Sequence, residues 1–184
     1  MPAMTRLWSI PEPGTDNTID ISLHEPGLTE DNLGLKTWGS SYVLSSDLAM
    51  LDPFLDHTLA KEDLNVLELG AGTGLVGLAM AATWGCKVLL TDLSEIVSNL
   101  ARNVSLNDEM FVGDKHSPRT SVLNWMEPPE PVAIDGPFDI VVAADPLYDA
   151  QHAPLLAFNV HRFLRSDNRG RGEQYLTLVK SSTC

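Results

Sequence analysis

The sequence predicts an α/β fold in which parallel strands form a doubly wound sheet with helices on both faces. Two observations predict it: apolar and amphipathic segments alternate regularly after Asp63, and one strand candidate runs into a glycine-rich turn. The chain has 184 residues, 43% of them hydrophobic, which is enough for one domain with a sizeable core.

Five segments are predicted as parallel strands because each is short and rich in Val, Leu or Ile, as expected for strands buried on both faces. They cover residues 65–69, 87–91, 120–125, 138–144 and 175–180. Helices are predicted between them over residues 73–83, 94–103 and 154–164. Gly85 is expected to cap the end of the first helix, and Ser94 to cap the start of the second.

The beginning of the chain has a different composition. Residues 1–37 are rich in proline and glycine, which favours turns and extended segments, and one strand is expected over 19–23. Leucines then recur every three or four residues over 44–59, which predicts a helix that restarts at Pro53. We therefore expect an N-terminal extension over 1–37 and one functional domain over 38–184.

The charge of the chain bears on its partners. It has 25 acidic and 12 basic residues, a formal net charge of −13, so it repels phosphate backbones and anionic membrane surfaces. It shows no apolar stretch of roughly 20 residues and no signal peptide. Cys86 and Cys184 form no disulfide framework and no metal-ligand spacing with the histidines. We expect a metal-free monomer that binds neither nucleic acid nor membrane, located in the cytoplasm or also in the nucleus.

A glycine-rich turn follows the first predicted strand of the sheet. It reads Glu68-Leu69-Gly70-Ala71-Gly72-Thr73-Gly74. Glycines let the backbone approach a ligand closely, so the turn predicts a site for a nucleotide-type cofactor. A dinucleotide fingerprint also matches formally, with Asp92 about 20 residues on. Glu68 favours a cofactor that carries an ammonium group, because a carboxylate would repel the pyrophosphate of NAD.

Asp92 follows the second predicted strand, whereas Asn124 and Trp125 end the third, at the edge where open α/β sheets bind ligands. Asp92 is expected to contact two ribose hydroxyls. Asn124 and Trp125 could hydrogen-bond an adenine ring and pack on it. The structural alternatives are a turn-capping role for Asp92 and a core-covering role for Trp125.

The fourth predicted strand ends in a second candidate motif, Ala144-Asp145-Pro146-Leu147-Tyr148. A residue before proline is usually extended, so Asp145 is expected at the strand tip with Tyr148 beside it. Methyl transfer from a sulfonium requires a neutral amine about 3 Å from the methyl carbon. Asp145 could accept an N–H of such an amine and Tyr148 could form an aromatic wall. Alternatively, Asp145 only caps the next segment.

These motifs together resemble those of the seven-β-strand S-adenosylmethionine-dependent methyltransferases, which have a Rossmann-like sheet. Within them the chain is similar to methyltransferase family 16, the non-histone protein-lysine methyltransferases with a D-x-x-Y motif. The resemblance implies that Asp145 and Tyr148 face the lysine of a protein substrate. It further implies cofactor contacts from Trp38, Gly70, Ala71, Gly72, Asp92, Trp125 and Ala144.

The family's sheet has two more strands than the five predicted here, and they form a hairpin after the fifth. The chain ends shortly after residue 180, so we expect this hairpin to be missing and the S-adenosylmethionine-binding domain over 38–184 to be truncated. Three other functions stay open. They are an adenine- or glutamine-directed amino-methyltransferase, in which Leu147 replaces the second proline of D-P-P-Y, an NAD(P)-dependent enzyme, and an inactive module that binds the cofactor or another protein.

Overall fold

The chain opens with a β-hairpin of two antiparallel strands. In this computed structural model, β1 spans Met4–Pro11 and β2 spans Thr18–Glu25. The structure describes residues 2–27, 33–48, 60–112, 116–147, 149, 151–165 and 176–180, and only the backbone of Leu33, of Lys61 and of 176–180. The sequence predicts one strand here, and the structure contains two. The first escapes prediction because its apolar and polar residues do not alternate in the sequence: Leu7 and Trp8 are adjacent, and Leu7 is 62% exposed.

Five parallel strands form the central sheet, which confirms the predicted doubly wound fold. They are β3 (Asn65–Leu69), β4 (Lys87–Asp92), β5 (Arg119–Val122), β6 (Ile140–Ala144) and β7 (Leu176–Lys180). Their order across the sheet is β5-β4-β3-β6-β7. The chain therefore starts in the middle of the sheet and winds outward in both directions, which leaves a crevice at the carboxyl end of β3.

Two strands differ from their predictions by two or more residues at one end. β5 ends at Val122 instead of reaching Trp125, because it lies at the sheet edge and its residues are half-buried or exposed. β6 begins at Ile140, and Phe138 before it forms an isolated bridge with Leu164.

Four helices of the described residues pack around the sheet. They are α1 (Gly39–Ser46), α2 (Leu75–Trp84), α3 (Ser94–Ser105) and α4 (His152–Phe163). Gly85 caps α2 in a left-handed conformation with φ 69°, as predicted. Ser94 is not the cap of α3: Leu93 holds that position, and the Ser94 hydroxyl donates to Glu95 instead. Most of the helix predicted over 44–59 lies outside the described residues.

The core lies on both faces of the sheet. Successive residues of a strand point to opposite faces, so Val66 packs with α2 and α3 on one face while Leu67 packs with α4 on the other. The hairpin joins the first face through Ile10, Ile21 and Leu23. Within the described ranges, no helix is long and apolar enough to cross a membrane.

Candidate functional site

The glycine-rich turn joins β3 to α2 and follows a left-handed backbone at its glycines. Gly70, Gly72 and Gly74 have φ values of 70°, 58° and 89°. Gly70 and Gly72 are partly exposed, whereas Ala71 and Thr73 between and after them are buried. A side chain on Gly72 would place its Cβ 3.0 Å from the carbonyl oxygen of Gly34. The turn therefore presents partly exposed glycine backbone, at Gly70 and Gly72, at the carboxyl edge of the sheet.

Asp92 lies at the end of β4, beside this turn. Its Oδ2 accepts a hydrogen bond from the Gly72 N–H at 2.7 Å, and its Oδ1 accepts one from the Leu93 N–H at 2.8 Å. Burial raises the pKa of Asp92, and these two hydrogen bonds lower it in part. Asp92 thus lies at the carboxyl edge of the sheet, where the sequence predicts it, and contacts the glycine turn there. Its contact with ribose hydroxyls stays a prediction.

Glu68 lies in β3 just before the glycines, as predicted, but its side chain has a different direction from the predicted one. Its side chain is 2% exposed and lies beneath α2, where its Oε2 accepts a hydrogen bond from the Gly77 N–H at 2.9 Å. Burial raises the pKa of Glu68 to about 8, with a smaller contribution from the charge of Asp92. At neutral pH the carboxyl is therefore mostly protonated, and in this geometry it supports α2 instead of offering a charge to an ammonium group.

Trp125 reaches the glycine turn from the loop after β5. A Cβ on Gly70 would lie 3.3 Å from Cζ2 of the indole, so the ring covers that glycine. The ring also lies edge-on to His152 of α4, with 5.9 Å between the ring centroids. Asn124 is exposed and closes a turn, because its Oδ1 accepts a hydrogen bond from the Met126 N–H at 3.0 Å.

Asp145 follows Ala144 at the tip of β6, but its backbone is not extended as predicted. Its φ is 54°, in the left-handed region that residues with a side chain seldom adopt. Such a conformation costs about 1–3 kcal/mol and is concentrated at functional sites. Asp145 is 8% exposed and Ala144 is 7% exposed, so both are buried. Tyr148, predicted as its partner, lies outside the described residues.

The segment before α1 lies against the glycine turn from the other side. The hydroxyl oxygens of Thr37 and Thr73 are 2.8 Å apart, and the Thr37 N–H donates to Glu25 of β2 at 3.1 Å. Trp38 follows, with the Lys36 ammonium 5.2 Å from its ring centroid. Thr37, Thr73 and Glu25 were not identified from the sequence. Glu25 offers the one signal: it continues the inward alternation of β2, where a carboxylate is unexpected.

A groove of about 560 Å³ lies at the opposite, amino edge of the sheet. Its charged lining includes Lys87, Arg119, Arg165, Asp63, Asp135 and Asp139. Two of its arginines are already paired, Arg119 with Asp135 at 2.8 Å and Arg165 with Asp139 at 3.1 Å. None of the predicted site residues lines this groove, so the carboxyl edge remains the candidate site.

The sheet order, the glycine turn after its first strand and the acidic residue after its second define a Rossmann-like domain for a nucleotide-type cofactor. The family model described as lysine methyltransferase matches residues 16–180, and the chain belongs to that family. The predicted resemblance is thus confirmed. This family uses S-adenosylmethionine as its cofactor.

Individual relatives agree with the family. The chain is 42% identical over 161 residues to the protein-lysine N-methyltransferase EFM2 of Saccharomyces cerevisiae, a match that covers 78% of this chain and 37% of that protein. It is 36% identical over 155 residues to the protein-lysine N-methyltransferase rrg1 of Schizosaccharomyces pombe, which covers 82% and 49%. The chain spans less than half the length of these two relatives. A solved structure of PKMT2 from Rickettsia typhi in complex with AdoHcy matches with a TM-score of 0.49 and 17% identity, over 66% of this chain and 21% of that one.

Proposed function

We propose that the protein binds S-adenosylmethionine at the carboxyl edge of its sheet and transfers the methyl group to a lysine side chain of a protein substrate. The observation that carries the proposal is the meeting of the glycine turn, Asp92 and Trp125 at this edge. The Gly72 N–H donates a hydrogen bond to the Asp92 carboxylate at 2.7 Å, and the Trp125 ring covers Gly70. The lysine substrate is supported by the chain's family and by its relatives.

The residues at this edge suit the cofactor chemically. The partly exposed glycines leave backbone groups accessible, and the partly exposed Asp92 carboxylate can accept hydrogen bonds from ribose hydroxyls. The indole of Trp125 covers Gly70 and provides a surface on which an adenine can pack. The cofactor site we propose consists of Trp38, Gly70, Ala71, Gly72, Gly74, Asp92, Asn124, Trp125 and Ala144. Glu68 is left out because its carboxyl is directed to Gly77.

The bound cofactor supplies an electrophilic methyl group on a sulfonium, and the protein must deliver a neutral amine in line with it. Asp145 is suited to this task because it lies at the tip of β6, the strand next to β3, immediately after a residue of the proposed cofactor site. Its carboxylate would accept an N–H of the lysine amine and thereby direct the lone pair toward the methyl carbon, about 3 Å away. Tyr148 is proposed as its partner from the family's motif.

Calorimetric titration with S-adenosylmethionine and S-adenosylhomocysteine tests the cofactor site. We expect micromolar binding to the unmodified protein, no measurable binding to Asp92→Ala, and unchanged binding to Asp145→Ala. Asp108→Ala, which removes an exposed carboxylate from another loop, is the matched control and should bind normally. No binding by the folded, unmodified protein would overturn the proposal.

Transfer of labelled methyl groups to proteins of a lysate that lacks the native enzyme tests the reaction. The unmodified protein should label a protein on lysine, and Asp145→Ala should not, although it still binds the cofactor. Labelling of glutamine or of adenine instead would refute the lysine specificity. Equal loss of cofactor binding in Asp92→Ala and Asp145→Ala would refute the separate roles of the two aspartates.

A further inference from the structure

Three asparagines of the α3 region face the N-terminal hairpin. Asn99, Asn103 and Asn107 are spaced by four residues, so they share one side of the helix and its continuation. Asn103 is fully buried, and Asn107 is 4% exposed. Burying an amide is unfavourable unless its donors and acceptor all find partners. The contacts of these two side chains therefore show what the sequence uses them for.

Asn103 and Asn107 bind β2 in the same way. The Asn107 Oδ1 accepts a hydrogen bond from the Ser22 N–H at 2.9 Å, and its Nδ2 donates to the Ser22 carbonyl at 2.8 Å. The Asn103 Oδ1 accepts from the His24 N–H at 2.8 Å, and its Nδ2 lies 3.3 Å from the His24 carbonyl. Each amide thus pairs with the free edge of β2 as a neighbouring strand would.

The two asparagines differ in the remaining hydrogen bond. Nδ2 of Asn107 donates to the Asn103 carbonyl within its own helical segment, at 2.7 Å. Nδ2 of Asn103 instead donates to the carbonyl of Thr73 at 3.0 Å. Thr73 stands between Gly72 and Gly74 in the turn of the proposed cofactor site. Asn103 is therefore the residue of this pair that connects the hairpin to the glycine turn.

Thr73 is held on its side chain as well as on its backbone. Its hydroxyl lies 2.8 Å from that of Thr37, and both residues are at least 95% buried. Glycine-rich backbone has more conformations to lose than any other, so a turn with glycines on both sides of Thr73 is costly to order. A ligand that finds the turn already ordered does not bear that cost on binding.

We propose that Asn103 is a positioning residue of the cofactor site: through the carbonyl of Thr73 it holds the glycine turn in its binding geometry. Thr37 does the same through the Thr73 hydroxyl. Asn107 makes the equivalent contacts to β2 and has no part in the turn. The identity of the ligand rests on the function proposed above, whereas the ordering of the turn does not.

The matched variants Asn103→Ala and Asn107→Ala test the proposal. Both lose an amide pair with β2, so both should unfold at a lower temperature. Only Asn103→Ala should speed amide hydrogen exchange at residues 70–74 of the ligand-free protein, by about tenfold. It should also weaken S-adenosylmethionine binding about fivefold to tenfold, as expected for the loss of one hydrogen bond that orders a site, while Asn107→Ala binds normally.

A second pair covers the case in which Asn103→Ala does not fold. Thr37→Val removes the hydroxyl that lies 2.8 Å from the Thr73 hydroxyl. Its control is Thr83→Val, which removes a hydroxyl that donates to the Ala79 carbonyl at 2.7 Å within α2. Of these two variants, only Thr37→Val should speed amide hydrogen exchange at residues 70–74. Equal exchange in all variants and the unmodified protein would overturn the positioning role. If exchange separates the variants but no protein binds S-adenosylmethionine, the positioning role stands and the proposed function fails.

Discussion

The replacement Glu68→Gln should change how the stability of the protein depends on pH. Glu68 is 2% exposed, and burial raises its pKa to about 8 from 4.5. Between these values the unfolded chain has lost the proton that the folded protein keeps, so the free energy of unfolding falls as pH rises. A single proton contributes about 1.4 kcal/mol per pH unit. The contribution of Glu68 to stability is thus greatest below pH 4.5 and is lost by about pH 8.

Glutamine has the shape of the protonated carboxyl and does not titrate. Between pH 5 and pH 8 the unmodified protein should therefore lose about 3.5 kcal/mol relative to Glu68→Gln, at about 1.0–1.3 kcal/mol per pH unit. Urea unfolding at pH 5, 6, 7 and 8 measures this difference directly. Glu109→Gln, which changes an exposed carboxylate, is the control and should follow the unmodified protein. Parallel curves for Glu68→Gln and the unmodified protein would show that Glu68 is ionised throughout and refute the reasoning.

Two further pairs of variants test the packing and the backbone. Gly77→Ala should lower the free energy of unfolding by about 1–3 kcal/mol, because its Cβ would lie 2.8 Å from Oε2 of Glu68 and closer still to Leu90. Gly39→Ala, with no atom within 4 Å of the new Cβ, should not destabilise the protein. Equal unfolding curves for Gly77→Ala and Gly39→Ala would contradict the tight packing around Gly77. Asp145→Gly should be more stable than Asp145→Ala by about 1 kcal/mol in urea unfolding, because both lack the carboxylate and only glycine accepts φ 54° freely. A more stable alanine variant would show that the backbone is not strained there.

The sheet could be predicted because its central strands are buried on both faces and read as continuous apolar segments. Residues 65–69 match β3 at both ends for this reason. β1 could not be predicted, since Leu7 and Trp8 are adjacent and produce no alternation. After β5, an edge strand of the central sheet, Leu123 and Trp125 are apolar as in a strand but belong to the following loop. Leu123 packs in the core there, and Trp125 covers Gly70 of the candidate site.

The candidate site was predictable where a residue directly follows a strand, as with Asp92 and the glycine turn. The site was not predictable where the direction of a side chain decides what it contacts. Glu68 is two residues after Val66 in β3, so both side chains lie on the face of the sheet that packs against α2. The Glu68 carboxyl therefore lies under that helix and not at the end of the strand. The extended backbone predicted for Asp145 from the proline that follows it was wrong, because Asp145 adopts a left-handed backbone with φ 54°. Only the surrounding structure can hold a residue in such a conformation, and a local sequence rule does not include it.

The pairing between Ser22 and Asn107 spans 85 residues of sequence. During synthesis the hairpin leaves the ribosome long before the helix that completes its edge, so it cannot reach its final state until more than half the chain has been made. We therefore propose that residues 4–25 belong to the same folding unit as the sheet, and not to a separate extension over 1–37. A fragment that begins at residue 38 would leave α2 without the apolar residues of β2 that share its core, Ile21 and Leu23, and we expect it to aggregate.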